Sequence, residues 1–179
     1  AGVGGSTAAS ALMAALAVGA GTGGGSREVY LAMKAWQSGD SDTPNRLQRL
    51  SSRYTPTSRE VWPSIDRPPG FAAYGRTCPT PVLQTLSHLA KALPDGAVAW
   101  LADQRPALEV LANAPLAFTG VAAAALTDLA FDPHQGEMLF LLMRLPGAAA
   151  HALEQQSQGF RKFPFFGLEL QDDPDEPPQ

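Results

Sequence analysis

Two stretches of this chain, residues 6–18 and 119–129, consist mostly of alanine and other small or apolar residues. Alanine is the strongest helix former because it has no side-chain rotamers to lose. A helix built this way lets a neighbouring backbone approach closely, so the first stretch is expected inside the fold, and the second repeats its composition. Nowhere does the sequence alternate polar and apolar residues convincingly with period two. The chain is therefore expected to be all-α.

The remaining punctuation supports the same reading. A glycine cluster, residues 19–25, separates the first helix from one expected over 27–37. There Val29, Met33 and Trp36 recur at i, i+4 and i+7 and form one apolar stripe. Residues 40–60 are polar and mixed, with a helix expected near 45–54. Pro63, Pro68 and Pro69 mark an extended crossing segment up to Gly70. Residues 79–93 read as a helix with Val82, Leu86, Leu89 and Leu93 on one face, closed by the turn Pro94-Asp-Gly. A short helix is expected over 106–111. Asp132 is placed to cap the following helix and Pro133 to occupy its first position, with the helix reaching Leu145. Pro146-Gly147 is expected to break it, and a last helix to cover 148–157. The tail, residues 171–179, holds four acids and three prolines and is expected to be solvated and partly disordered. No segment repeats at a fixed period.

Composition narrows the functional classes. With 179 residues, 45% of them hydrophobic, the chain can bury a core without covalent staples. Cys78 is the only cysteine, so no intrachain disulfide can form and nothing points to an oxidising compartment. A net charge of −4, with 13 scattered basic residues, argues against a nucleic-acid surface. The apolar run 8–18 lacks a basic flank and is too short to span a bilayer, and the run 117–131 is interrupted by Thr119, Thr127 and Asp128. A cytoplasmic protein that binds neither membrane nor nucleic acid is expected. Its first residue is Ala1, which fits a chain that begins partway through a longer protein.

Single residues give weak signals. Gly19-x-Gly21-x-x-Gly24 has the spacing of a dinucleotide fingerprint, yet that motif needs a preceding strand and here follows a helical run. His88, His134 and His151 share no metal-ligand spacing, so surface or half-buried positions are expected and no metal. Cys78, near Arg76, is either a mildly activated thiol or a small apolar filler.

Four segments in order carry more. Gly23-Gly-Gly-Ser-Arg-Glu28-Val resembles the His-Gly-Gly-Ala-Asn-Glu-Ala segment of citrate synthases and citryl-CoA lyases. Pro69-Gly-Phe71-Ala-Ala73 resembles their Pro-Gly-Phe-Gly-His. The segment from Gly120 to Phe131 is similar to the one after their Asn-Val-Asp. Leu141-Leu-Met-Arg144-Leu-Pro-Gly147-Ala-Ala-Ala-His151 is similar to their Arg-x-x-Gly-x-x-Ala-His run. The chain thus resembles the carboxy-terminal half of that family.

The resemblance implies a helical large domain with a smaller helical domain inserted. Residues 1–71 would be large-domain helices, 72–112 the small domain, and 113–179 large-domain helices with the acidic tail. It also implies a homodimer, or a heteromer with a homologue, with acyl-CoA and oxoacid bound between the domains. The family's aldol-type condensation uses two histidines and an aspartate, each able to exchange a proton or donate to a developing charge. Those positions fall here on Gly23, Ala73 and the neighbourhood of Thr119, none of which can do so. Catalytic residues are therefore expected to be absent.

Arg144 stands where the family holds a carboxylate, and Arg161 and Arg76 are further candidates for ligand binding. Guanidinium groups suit carboxylates because they offer parallel donors and stay charged. Equally, Arg144 can pair with an acid of this chain such as Glu137 or Asp128. Its neighbours Met143 and Leu145 are expected to face the core. The expectation is a catalytically degenerate, citrate synthase-like protein with no bound cofactor, for which a carboxylate or a CoA thioester is the candidate ligand. The alternatives are a working citrate synthase-type acyltransferase or citryl-CoA lyase using Arg76, Cys78, Arg144 and His151, and a purely structural helical module.

Overall fold

The computed structural model describes residues 6–21, 24–37, 67–72 and 75–158. The helix expected over 45–54, the acidic tail, Gly23, Ala73 and Arg161 lie outside the described residues. Among the described residues the protein is all-α, with six helices: α1 (Ala8–Gly19), α2 (Ser26–Trp36), α3 (Thr80–Ala92), α4 (Ala97–Ala112), α5 (Phe118–Asp128) and α6 (Pro133–Gln158).

The alanine-rich α5 is the axis of the core. Alanine leaves so little bulk on its surface that other helices can close on it from several sides. Val121 and Ala124 join a cluster with Val82 and Leu86 of α3 and with Val98, Leu101 and Leu108 of α4. Ala122, Ala123 and Leu126, on another face, join Val29, Ala32 and Met33 of α2 and Phe140 of α6. The stripe read in α2 is thus buried at Val29 and Met33, while Trp36 is half-buried and meets Trp100 edge to face at 5.3 Å.

Of the segment expected to cross, the described end, residues 67–72, packs beside residues 115–120. Phe71 forms an antiparallel bridge with Leu116. The Ala72 N–H donates to Pro115 O at 2.8 Å, and the Ala117 N–H donates to Gly70 O at 2.9 Å. Gly70 has φ +96°, a conformation that side chains resist.

Three expectations are corrected. α1 is not inside: Gly19 alone is fully buried, and Met13 and Val18 are 72% and 79% exposed. A helix apolar on every side has no face that must turn inward, and α1 packs chiefly on α6, which covers one side only. The helix expected over 106–111 begins at Ala97 and carries Pro106 in its interior. An interior proline costs about 3 kcal/mol. Here Val98 and Leu101 before it and Leu108 and Ala112 after it are all buried on one core, which holds the two halves in line.

Pro146-Gly147 likewise does not break α6, which runs 26 residues through both. α1 splints it. Leu141, before the proline, lies against Gly19, and Gln156, beyond it, donates to Ser6 O at 3.3 Å. The start of α6 follows the sequence reading. Asp132 Oδ1 accepts the His134 and Gln135 N–H groups at 2.9 and 3.0 Å, and Gln135 Oε1 accepts the Asp132 N–H at 3.0 Å, a closed capping box.

No helix among the described residues is long and apolar enough to cross a membrane.

Candidate functional site

The segments that suggested a site meet around Glu28. Its place in the first turn of α2 directs the carboxylate toward the turn before the helix, where backbone donors lack helical partners. Oε2 accepts the Gly24 N–H at 2.7 Å. Oε1 accepts the Gly70 N–H at 2.8 Å and Arg67 Nη1 at 3.1 Å. Glu28 is 3% exposed and Arg67 10%, so this is a buried ion pair with two backbone bonds added. It ties the glycine turn to the crossing segment. Thr119, the family's aspartate neighbourhood, is buried one residue from the Gly70–Gly120 contact, and its hydroxyl has no hydrogen-bond partner.

Arg144 reaches the same glycine turn from α6. Nη1 donates to Gly24 O at 3.0 Å, and the guanidinium carbon lies 5.7 Å from the centroid of the Phe140 ring, one turn earlier. Among the described residues no acid pairs with it. Glu137 is taken by Arg27 at 3.1 Å. Asp128 is taken by the start of α4, where its oxygens accept the Ala97 and Val98 N–H groups at 2.6 and 3.0 Å. Neither acid that the sequence offered as its partner therefore pairs with it. The expected burial is corrected: Arg144 is exposed, Met143 is 59% exposed, and Leu145 is half-buried. On this part of α6 the core contact is made by Phe140, and the side chains around Arg144 border a groove instead.

Arg76 is elsewhere. It lines a cavity of about 830 Å³ with Cys78, Arg105 and Glu109, whereas Arg144 lines one of about 480 Å³ with His151. The structure does not bring Arg144 and Arg76 into one cavity. Arg105 is held by Glu109 at 2.6 Å, and Glu109 Oε1 also accepts the Leu116 N–H at 2.9 Å. Cys78 is half-buried on the core formed with α3 and α4. Burial pushes its thiol pKa up, Glu109 adds to the shift, and Arg105 opposes it. An activated thiol is not what this environment makes, and the filler reading fits it.

All three histidines are exposed. His134 lies against the Tyr30 ring at 4.8 Å and His151 Nδ1 against Glu154 Oε2 at 2.9 Å. Among the described residues no three His, Cys, Asp or Glu side chains gather as a metal site would require. The Gly19-x-Gly21-x-x-Gly24 turn joins two helices, not a strand to a helix, so it lacks the phosphate-binding context.

No family model, curated protein or solved structure matches the chain.

Glu28 and Arg67 were not singled out by the sequence reading. One signal was available: an acid in the first turn of a helix, between Ser26 and the buried Val29, has only the backbone ahead of it to bond. Arg67 had none, since its partner lies 39 residues away in sequence.

Proposed function

We propose that this chain is a catalytically silent protein on a citrate synthase-like helical plan, and that it holds a small carboxylate at Arg144. The observation that carries this reading is the state of the Arg144 guanidinium. It is exposed beside a groove, fixed by one backbone carbonyl and one aromatic ring, and, among the described residues, left without an acid partner. A guanidinium has five N–H donors, and among the described residues one is used. The positions that would need a base carry Gly23, Ala73 and Thr119, none of them able to exchange a proton at neutral pH. We place the protein in the cytoplasm, as a homodimer or a heteromer with a homologue, with a CoA thioester as the other candidate ligand.

Two measurements test this. Release of free CoA from acetyl-CoA and oxaloacetate is expected to stay at background, where one missing acid or base already costs about a hundred- to ten-thousand-fold. Protein-dependent turnover abolished by Arg144→Ala would falsify the silent reading. A thermal-shift screen of mono-, di- and tricarboxylates is expected to raise the melting temperature in the wild type and not in Arg144→Ala. Equal shifts in both would remove Arg144 as the site.

A further inference from the structure

The groove beside Arg144 names a class of ligand, on the reading that Arg144 holds a carboxylate. It is the crevice between α1 and α6, about 480 Å³, within the general range of small-molecule sites. One wall is Ala15, Val18 and Gly19, at i, i+3 and i+4 of α1. The other is Leu141, Leu145 and Ala148, at i, i+4 and i+7 of α6. Among the described residues Arg144 and His151 are its only polar lining side chains, and His151 is engaged by Glu154 at 2.9 Å.

A tricarboxylate does not suit this groove. It would set three negative charges against one guanidinium, with the carboxylate of Glu154 beside His151. The apolar walls would then face anionic oxygens, whose desolvation nothing repays. A CoA thioester carries its charge on nucleotide phosphates remote from the acyl chain, so an acyl tail lying between these walls would bring no anionic group to Arg144. One carboxylate on an aliphatic tail meets every feature: the head takes the free donors of Arg144, and the tail lies between the walls. We infer that the α1–α6 groove binds an aliphatic monocarboxylate, a short- to medium-chain fatty acid.

Gly147 supplies a clean block. It lines the groove, and a Cβ added there meets nothing within 4 Å. A side chain can therefore start here without displacing the protein, leucine is expected to extend it over the groove, and it replaces a glycine in a helix by a better helix former.

The test is isothermal titration of the full chain with butanoate, hexanoate, octanoate, octanamide and citrate. Far-UV spectra and melting temperatures of each variant are recorded alongside. Affinity is expected to rise about two- to fourfold per added methylene, as partial to full burial of each group implies. Octanoate should bind at least tenfold more tightly than citrate or octanamide. Arg144→Gln should cost octanoate tenfold or more, and Gly147→Leu should abolish its binding while helix content and melting temperature are kept. Citrate binding as tightly as octanoate, with both lost in Arg144→Gln, overturns the aliphatic class and leaves the Arg144 carboxylate site standing. Octanoate binding indifferent to both substitutions places it outside this groove and overturns the inference. Absence of heat with every carboxylate at millimolar concentration overturns the inference and the site together.

Discussion

Gly70 and Gly120 meet backbone to backbone. A Cβ built on Gly70 would sit 2.9 Å from the Gly120 Cα, and one built on Gly120 would sit 2.6 Å from Gly70 O. Neither obstacle is a side chain that can swing away. The contact lets the crossing segment pair with residues 115–117 and brings Glu28 within reach of the Gly70 N–H. Gly120→Ala is expected to lower stability by about 1–3 kcal/mol, the usual cost of overpacking a core. Gly147→Ala is the matched control. With open space around its Cβ it should gain about 0.5–1 kcal/mol from helix propensity. Urea midpoints at unchanged slope would show both signs.

Glu28 is the acceptor on which two chain segments converge, so its loss should reach beyond one bond. Glu28→Gln keeps the shape but removes the charge opposite Arg67 and leaves the guanidinium buried. Breaking a buried pair by removing one partner costs about 3–5 kcal/mol. The same fall is expected in Arg67→Ala, and the double variant should cost less than the two singles added, since they share one interaction. Additive losses would show that the two side chains do not act as a pair.

The helices were legible where the signal is local. The stripe in α2, the face of α3 and the cap at Asp132 each follow from residues within one or two turns, and each is found. The helix start assigned at Pro106 and the break assigned at Pro146 were not, because a proline's cost is local while its compensation comes from other helices, the core under α4 and α1 along α6. Asp128 shows the same gap from the other side. It starts α4 from 30 residues downstream, because Gly96 at the cap position has no side chain. At the candidate site, the sequence placed Arg144 and supplied Glu137 and Asp128 as its partners. Only the packing shows that both acids are engaged elsewhere.

Asp128 gives a prediction of its own. Its two oxygens satisfy the first N–H groups of α4 and add negative charge at the positive end of that helix. Asp128→Ala is expected to cost about 1–2 kcal/mol, as loss of a good cap does. Hydrogen exchange should report the loss at Ala97 and Val98 first. Exchange that rises uniformly over the protein, with no excess there, would contradict a capping role.

Cys78 makes a pH prediction. Burial and then Glu109 raise its thiol pKa, against Arg105, so the folded protein keeps the thiol protonated to higher pH than the unfolded chain does. The stability linked to this proton is complete below the unfolded pKa and is lost as pH rises through the folded one. Alkylation by iodoacetamide, which needs the thiolate, should have its midpoint above that of a free cysteine. Glu109→Gln should move the midpoint down, because it removes the second cause and leaves the carbonyl that can accept the Leu116 N–H. A midpoint below the free thiol would mean that Arg105 outweighs both.

Self-association is the prediction that the exposed α1 makes most directly. The helix carries no charged residue, and Met13 and Val18 stand 72% and 79% exposed on it. Met138, Leu142, Met143 and Leu153 are exposed along α6, the helix on which α1 packs. Apolar side chains grouped this way cost solubility unless something covers them, and a symmetric pair of chains covers both copies at once. Sedimentation at micromolar concentration is expected to give a dimer. Met13→Glu should shift the protein to monomer, because a carboxylate on that face would be buried without a partner in the pair. Val18 and Met143 of this face also line the Arg144 groove, but Met13 is not among its described lining, so Met13→Glu leaves the groove intact and octanoate binding should survive in the monomer. A wild-type protein that sediments as a monomer throughout would refute the homodimer, and loss of ligand binding with the dimer would mean that the groove needs both chains.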